Sequence, residues 1–360
     1  NDKIEGNSGD DKLVGGLGVD IINGGEGSDT IYGDDELNAD ASGSGDTLSG
    51  GLGNDKLYGG YGDDTLAGNA NDDEIYGGAG IDTVDYRLAT SGVTVDLGND
   101  GTTSQNVGGG EGLDKITEVE NVLGSSFDDK FYSNITANNT FDGGTNAGVE
   151  TSTGEINGDT VDYSDKLTDS NDKIIVDLST STATVTVVNG GVTTATDTLI
   201  NIENITGTSG DDIITGSDEK NTLKGMSGND TLQGGAGLDT LDGGAGIDKA
   251  IYTYAESGVT IDWYNETAVV SGTDKDTLIA IENIDGSTHD DKIIMKAGNN
   301  PNVIDGAAGS DTVSYEKYTT GVTVDLGIST AQTITGTDLD TLISIENIIG
   351  GTGNDILTGS

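Results

Sequence analysis

Aspartates recur every nine residues over the first quarter of the chain: Asp2, Asp11, Asp20 and Asp29, then Asp46, Asp55, Asp64, Asp73 and Asp82. Carboxylates at one fixed spacing, with few other reactive side chains beside them, point to cation binding rather than to catalysis. Cysteine is absent and His289 is the single histidine, so thiolate or imidazole metal sites and a Ser-His-Asp nucleophile have no material. Oxygen donors alone, carboxylate and backbone carbonyl, select a hard ion of flexible coordination, which is Ca2+.

Each of these acids sits in a nine-residue template, G-G-x-G-x-D-x-U-x, where U is apolar. Residues 50–58 set it, and 59–67 and 77–85 repeat it. Residues 68–76 keep Asp73 and Ile75 but carry Asn69 and Asn71 where glycine is expected. Glycine allows a turn with positive φ and lets backbone approach an ion with no Cβ in the way. The x-U-x that ends the unit reads as a very short strand with one side chain pointing inward. If two units make one coil, Asp55 lies above Asp73 and Asp64 above Asp82. Carboxylates about 4.8 Å apart repel by about 1 to 3.5 kcal/mol as the effective dielectric falls from near 80 to near 20. A ladder of such pairs calls for cations between them.

The candidate calcium ligands are the carboxylates of Asp11, Asp20, Asp29, Asp46, Asp55, Asp64, Asp73, Asp82, Asp212, Asp230, Asp239, Asp248, Asp311 and Asp355, with backbone carbonyls near Gly15, Gly24, Gly50, Gly59, Gly77, Gly225, Gly234 and Gly243. Irregular copies hold Asp129 with Asn139 and Asp291 with Asn302; asparagine keeps an oxygen but loses the charge, so these turns read as weak or metal-free. No catalytic residue is assigned, because among 64 acids a carboxylate pair suited to hydrolysis turns up almost anywhere.

The elements that position these turns follow a second, longer repeat. Four times a loop acid is followed by tyrosine: Asp82 and Tyr86, Asp159 and Tyr163, Asp248 and Tyr252, Asp311 and Tyr315. Alternating stretches then begin at Val93, Ile174, Val259 and Val322 and read as half-buried strands. Farther on, Asp114, Asp197, Asp276 and Asp340 each precede the next loop acid by 15 residues, with Glu-Asn between them: Glu120-Asn121, Glu203-Asn204, Glu282-Asn283 and Glu346-Asn347. The glutamates read as hydrogen-bonded coil corners, with extra calcium ligation as the alternative, and the asparagines as a structural ladder. The tyrosines read as covers for the seam between roll and spacer; a sugar-binding face would need them exposed in single file.

The domain reading is one continuous solenoid. It places a roll block over 1–85, spacers over 86–123, 163–206, 252–285 and 315–349, degenerate turns over 124–162 and 286–314, a second roll block over 207–251 and a further one from 350 to 360. Each spacer is expected to continue the stack as further β coils, with insertions confined to 34–44, 99–108, 145–157 and 180–194. Both termini fall inside a repeat, which reads as a window from a longer protein.

Composition sets the outer limits. With 64 acidic and 15 basic residues the net charge is -49, which excludes nucleic acid as a partner. Sixty glycines and 32% apolar residues make a mixture that without a ligand resembles a disordered chain, so metal is read as part of the fold. No apolar run reaches the length of a membrane span.

The nonapeptides resemble RTX (repeats-in-toxin) calcium-binding repeats through nine perfect heads, at Gly15, Gly24, Gly50, Gly59, Gly77, Gly109, Gly234, Gly243 and Gly350, and many relaxed ones. The resemblance implies an all-β fold, a right-handed parallel β-roll or β-helix solenoid held by several Ca2+, with bacterial type I secretion and folding on extracellular calcium. The long spacers depart from short uninterrupted RTX tails and favour a large surface-layer, matrix or adhesin-stalk protein, not an enzyme, whose partners are other copies or other extracellular proteins and glycans. The alternatives are a carrier module of an extracellular enzyme and a glycan-binding module.

Overall fold

The nine-residue units pair as the template requires. In a computed structural model that describes all residues except 35–42, 100, 102, 146–157, 165, 166, 168, 273, 299–301, 337 and 360, strand Thr47–Leu52 runs parallel to Thr65–Ala70 with Leu48 opposite Leu66. Strand Lys56–Tyr61 runs parallel to Glu74–Ala79 with Leu57 opposite Ile75. Partners are 18 residues apart, so two units form one coil. Between Ile21 and its partner Thr47 the interval is 26; the extra eight residues match the insertion placed in 34–44, most of which lies outside the described residues. The insertion over 145–157 and Pro301 also fall largely or wholly outside them.

One apolar side chain per unit faces inward: Ile22, Leu48, Leu66 and Val84 from one row of strands, Ile31, Leu57 and Ile75 from the other, none more than 1% exposed. Burying each stabilises by about 1.5–3 kcal/mol. Ordering nine residues of backbone costs about 1–2 kcal/mol per residue, so the apolar core by itself falls short and the turns must contribute. Outside this row Tyr32, Tyr58 and Tyr76 stack with centroids 4.8 Å apart, and the Lys12 and Lys115 ammonium groups lie over the Tyr32 and Tyr76 rings. The rings cover one another's faces, so the stack presents edges to its surroundings.

The chain divides into two compact units. The first comprises Asn1–Lys166 with Ser181–Val187 and Val192–Ile202; the second comprises Leu167–Thr180, Val188–Gly191 and Glu203–Ser360. Each holds nonapeptide turns and spacer strands alike. The expected spacer strands are present as Thr94–Asp96, Lys173–Asp177, Thr260–Asp262 and Thr323–Asp325, each paired in parallel with a strand of a later turn. Beyond three of these strands the chain forms a hairpin whose second strand also continues the parallel stack as expected: Leu113–Thr117 pairs in parallel with Glu74–Ala79, Asp274–Ile279 with Thr240–Asp242 and Asp338–Ile343 with Asn302–Asp305. Gln105–Asn106 folds back antiparallel on Leu113–Thr117, Thr267–Ser271 on Asp274–Ile279, and Gln332–Thr335 on Asp338–Ile343. These polar, alternating stretches satisfy their backbone groups locally, through hairpins turned at positive-φ Gly272 and Gly336 in the last two. The stretch over 180–194, read as an insertion, is largely strand: Thr182–Asn189 and Val192–Ile200.

Tyr86, Tyr163, Tyr252 and Tyr315 are at most 1% exposed. They fill the interior where roll and spacer meet, so these four rings do not form an exposed file for a sugar. The described residues contain no helix.

Candidate metal centre

The turn aspartates form two hydrogen-bonded ladders in the first unit. In one, the amides of Asp2, Asp20, Asp46 and Asp64 donate to Oδ1 of Asp20, Asp46, Asp64 and Asp82. In the other, the amides of Asp11, Asp29 and Asp55 donate to Oδ1 of Asp29, Asp55 and Asp73 at 2.7–2.8 Å. All seven pairs expected from the spacing are therefore stacked. The second unit repeats the pattern, with the amides of Asp212, Asp230, Asn221 and Asp291 donating to Asp230, Asp248, Asp239 and Asp311.

These bonds use one oxygen of each carboxylate. The other, Oδ2, is buried without a hydrogen-bond partner in Asp11, Asp20, Asp29, Asp46, Asp55, Asp64, Asp73 and Asp82, and in Asp230, Asp239, Asp248 and Asp311. It lies against the first glycine of its own turn; beside the same glycine stands the carbonyl of a first glycine in the next coil for Asp11, Asp20, Asp29, Asp46, Asp55 and Asp64, and the carbonyl of Glu118, Ala280 and Ser344 for Asp82, Asp248 and Asp311. A Cβ on Gly15 would stand 2.5 Å from Asp20 Oδ2 and 2.6 Å from the Gly33 carbonyl oxygen; one on Gly50 would meet Asp55 Oδ2 and stand 2.8 Å from the Gly68 carbonyl oxygen. The first glycine of the template therefore serves space, whereas the second and third, Gly51 and Gly53, supply the positive φ of 114° and 129°. A buried carboxylate oxygen facing a carbonyl oxygen has no proton to share with it, and the donor set suits Ca2+. Among the described residues no group of three or more acidic side chains converges, so each turn relies on one or two carboxylates together with carbonyls.

The electrostatics agree. Burial, with neighbouring carboxylates adding to it, pushes Asp55 and Asp46 up to about 6, Asp64 and Asp239 to about 7, and Asp73 and Asp230 to about 8. Hydrogen bonds from the stacked amides oppose this shift without cancelling it.

Not every turn leaves an oxygen open. Asp212, expected among the ligands, is placed differently: the Thr208 amide donates to its Oδ2 at 2.6 Å, and its Oδ1 takes the Thr208 hydroxyl and the Ile174 amide. Ser125 closes Asp129 and Ser287 closes Asp291 in the same way. The sequence difference is small: Gly-Ser or Gly-Thr opens these turns instead of Gly-Gly. With positive φ the second glycine carries its amide elsewhere; a serine or threonine there turns amide and hydroxyl onto the acid. Asparagine is another substitute. Nδ2 of Asn139, Asn221 and Asn302 donates to the carbonyls of Glu120, Glu203 and Glu282 at 2.7–3.0 Å, so a neutral donor meets the carbonyl.

Asp355 accepts the Val322 amide at 3.0 Å and is half-buried. The Glu-Asn pairs end the ladders: Glu120, Glu282 and Glu346 accept the amides of Asp82, Asp248 and Asp311, and Asn121, Asn204 and Asn283 accept the amides of Thr140, Thr222 and Val303. Sequence reasoning left Asp114, Asp197 and Asp276 out of the ladders, although they stack beneath the amides of Asp73, Asn139 and Asp239. Their 15-residue register was the available signal. Tyr86, Tyr163 and Tyr315 donate their hydroxyls to Oδ2 of Asp114, Asp197 and Asp340 at 2.9–3.0 Å. Tyr252 faces Asp276 with its hydroxyl just outside hydrogen-bonding geometry.

A family model for the RTX calcium-binding nonapeptide repeat, in four copies, matches residues 1–31, 40–73, 49–84, 201–219, 215–250 and 344–360. No curated protein matches the chain. No helix among the described residues is long and apolar enough to cross a membrane. RTX repeats bind calcium and are typical of secreted bacterial proteins. With turns stacked 18 residues apart, buried carboxylate oxygens facing carbonyls and strands mostly in parallel sheets, the chain is an all-β parallel β-roll protein carrying several copies of the RTX calcium-binding nonapeptide repeat.

Proposed function

We propose that the chain is a structural segment of a secreted bacterial protein, folded by extracellular calcium and contributing to a surface layer, a matrix fibre or an adhesin stalk. It performs no reaction of its own, leaves the cell by type I secretion, and meets other copies or other extracellular proteins and glycans once folded. The supporting observation is the row of buried, partnerless Oδ2 atoms in the open turns.

Bound calcium would supply the positive charge that stacked carboxylates lack. Asp20, Asp29, Asp46, Asp55, Asp64, Asp73 and Asp82, and Asp230, Asp239 and Asp248, would hold it, with backbone carbonyls beside the first glycines. The chain's own residues hold each turn in place: Oδ1 fixes the neighbouring coil through its amide, and the first glycine keeps the space open. A site with a dissociation constant near 0.1 mM in about 1 mM Ca2+ stabilises by about 1.4 kcal/mol. Seven such sites give on the order of 10 kcal/mol, comparable with the whole stability of a domain. In a cytoplasm poor in calcium the chain stays extended and exportable.

Circular dichroism tests this. EDTA is expected to abolish the β signal and added Ca2+ to restore it. A β spectrum indifferent to chelation would contradict the proposal.

A further inference from the structure

In the second unit two buried carboxylates fall outside the nonapeptide pattern. Asp338 and Asp340 lie two residues apart on strand Asp338–Ile343, so both side chains point to the same, inner face. They are 4% and 0% exposed. The Tyr318 hydroxyl donates to Asp338 Oδ2 at 2.7 Å and the Tyr315 hydroxyl to Asp340 Oδ2 at 2.9 Å, the two rings meeting edge to face. Both Oδ1 atoms are buried without a hydrogen-bond partner, the Asn302 amide approaching the Asp340 carboxylate without reaching hydrogen-bonding geometry. Lys296 lends its backbone carbonyl to the Tyr318 hydroxyl but sends its ammonium to Glu266.

Comparison along the chain shows that the extra acid matters. The residue two before the inward aspartate is Gly112 in the first long repeat and Ala195 in the second. There Asp114 and Asp197 have both oxygens satisfied, by a stacked amide and a tyrosine hydroxyl. In the third and fourth repeats that residue is Asp274 or Asp338. There Asp274 Oδ1, Asp276 Oδ2, Asp338 Oδ1 and Asp340 Oδ1 are all buried and partnerless. Adding one carboxylate thus coincides with open, inward oxygens at both places. Two adjacent buried negative charges with no basic partner need a counter-charge.

We propose that Asp338 and Asp340 bind a calcium ion at a site distinct from the nonapeptide turns, and that Asp274 and Asp276 form a second site of the same kind. The two carboxylates supply the charge, and water completes a shell that a large, flexible oxygen-binding cation accepts. Tyr315 and Tyr318 act as positioning residues: each donates to one Oδ2 and so holds the other oxygen toward the ion. The inference rests on the reading that this chain takes up calcium.

The test counts bound ions per chain by equilibrium dialysis with radioactive Ca2+ at saturation, comparing the wild-type chain with Asp338→Asn and with the roll variant Asp64→Asn. Both variants are expected to hold fewer ions than wild type, Asp338→Asn by one. A count lowered by Asp64→Asn but unchanged by Asp338→Asn would overturn this inference alone. A count lowered by neither would overturn the calcium reading itself. If Asp338→Asn lacks the wild-type circular dichroism in calcium, Asp338→Ala replaces it, since alanine already stands at the corresponding position as Ala195. The same one-ion loss is expected, and an unchanged count overturns the site.

Discussion

A chain carrying asparagine at Asp55, Asp64, Asp73 and Asp82 is expected to fold at lower calcium than wild type, whereas alanine at the same four positions prevents the first roll block from folding even in millimolar calcium. Each of these carboxylates accepts a stacked amide, from Asp29, Asp46, Asp55 and Asp64. Alanine leaves all four amides without an acceptor, at about 1–3 kcal/mol each, a total comparable with the net stability of a domain, about 5–15 kcal/mol. It also removes the ion ligands. Asparagine keeps Oδ1 for the amide and places Nδ2 where Oδ2 faced a carbonyl, the solution already present at Asn139, Asn221 and Asn302. Calcium titrations followed by circular dichroism, with bound ions counted in parallel, separate the two variants. Asparagine and alanine chains with the same raised midpoint would show that the turn aspartates act only as ion ligands.

The second large effect is on pH, and its sign reverses with calcium. Without the ion, burial and neighbouring carboxylates raise the folded-state values of Asp55 and Asp248 to about 6, Asp64 and Asp239 to about 7, and Asp73 and Asp230 to about 8, against 3.8 for an ordinary aspartate. The folded state thus binds more protons than the unfolded one. The stability linked to these protons is fully present below about pH 4 and is lost as pH rises through 6 to 8. In EDTA the β signal is therefore expected to be absent at pH 8 and to grow on acidification toward pH 4. In calcium the ion and protons compete for the same oxygens, so the calcium midpoint is expected to rise as pH falls from 8 to 6. A metal-free chain folded at pH 8 and unfolded at pH 5 would have the opposite linkage.

The repeat was legible in the sequence because nine-residue spacing is a one-dimensional signal. It gave the coil length, the inward apolar residue at Leu48, Leu57, Leu66 and Ile75, and all seven stacked pairs of the first block. The segments between the repeats were less legible. Antiparallel hairpins such as Thr267–Ser271 with Asp274–Ile279 and parallel coils share the same alternation of apolar and polar residues, so periodicity cannot separate them. The state of each turn was hidden for a different reason. Asp212 and Asp230 occupy the same template position, yet one is closed by Thr208 and the other faces Gly225 with an open oxygen. The distinction rests on the second residue of the turn, where positive φ or a hydroxyl decides which way an amide points. Asp114, Asp197 and Asp276 escaped because the residues whose amides they accept lie 37 to 58 positions away in the chain.

Whether calcium sits between the open turns is tested most directly by an anomalous-difference map at long wavelength from crystals of the chain grown in Ca2+. Peaks are expected beside Oδ2 of Asp20, Asp29, Asp46, Asp55, Asp64, Asp73 and Asp82, and of Asp230, Asp239 and Asp248, with none at the turns closed by Ser125, Thr208 and Ser287. Well-ordered open turns with no peak beside their carboxylates would contradict calcium as the element that holds this fold together.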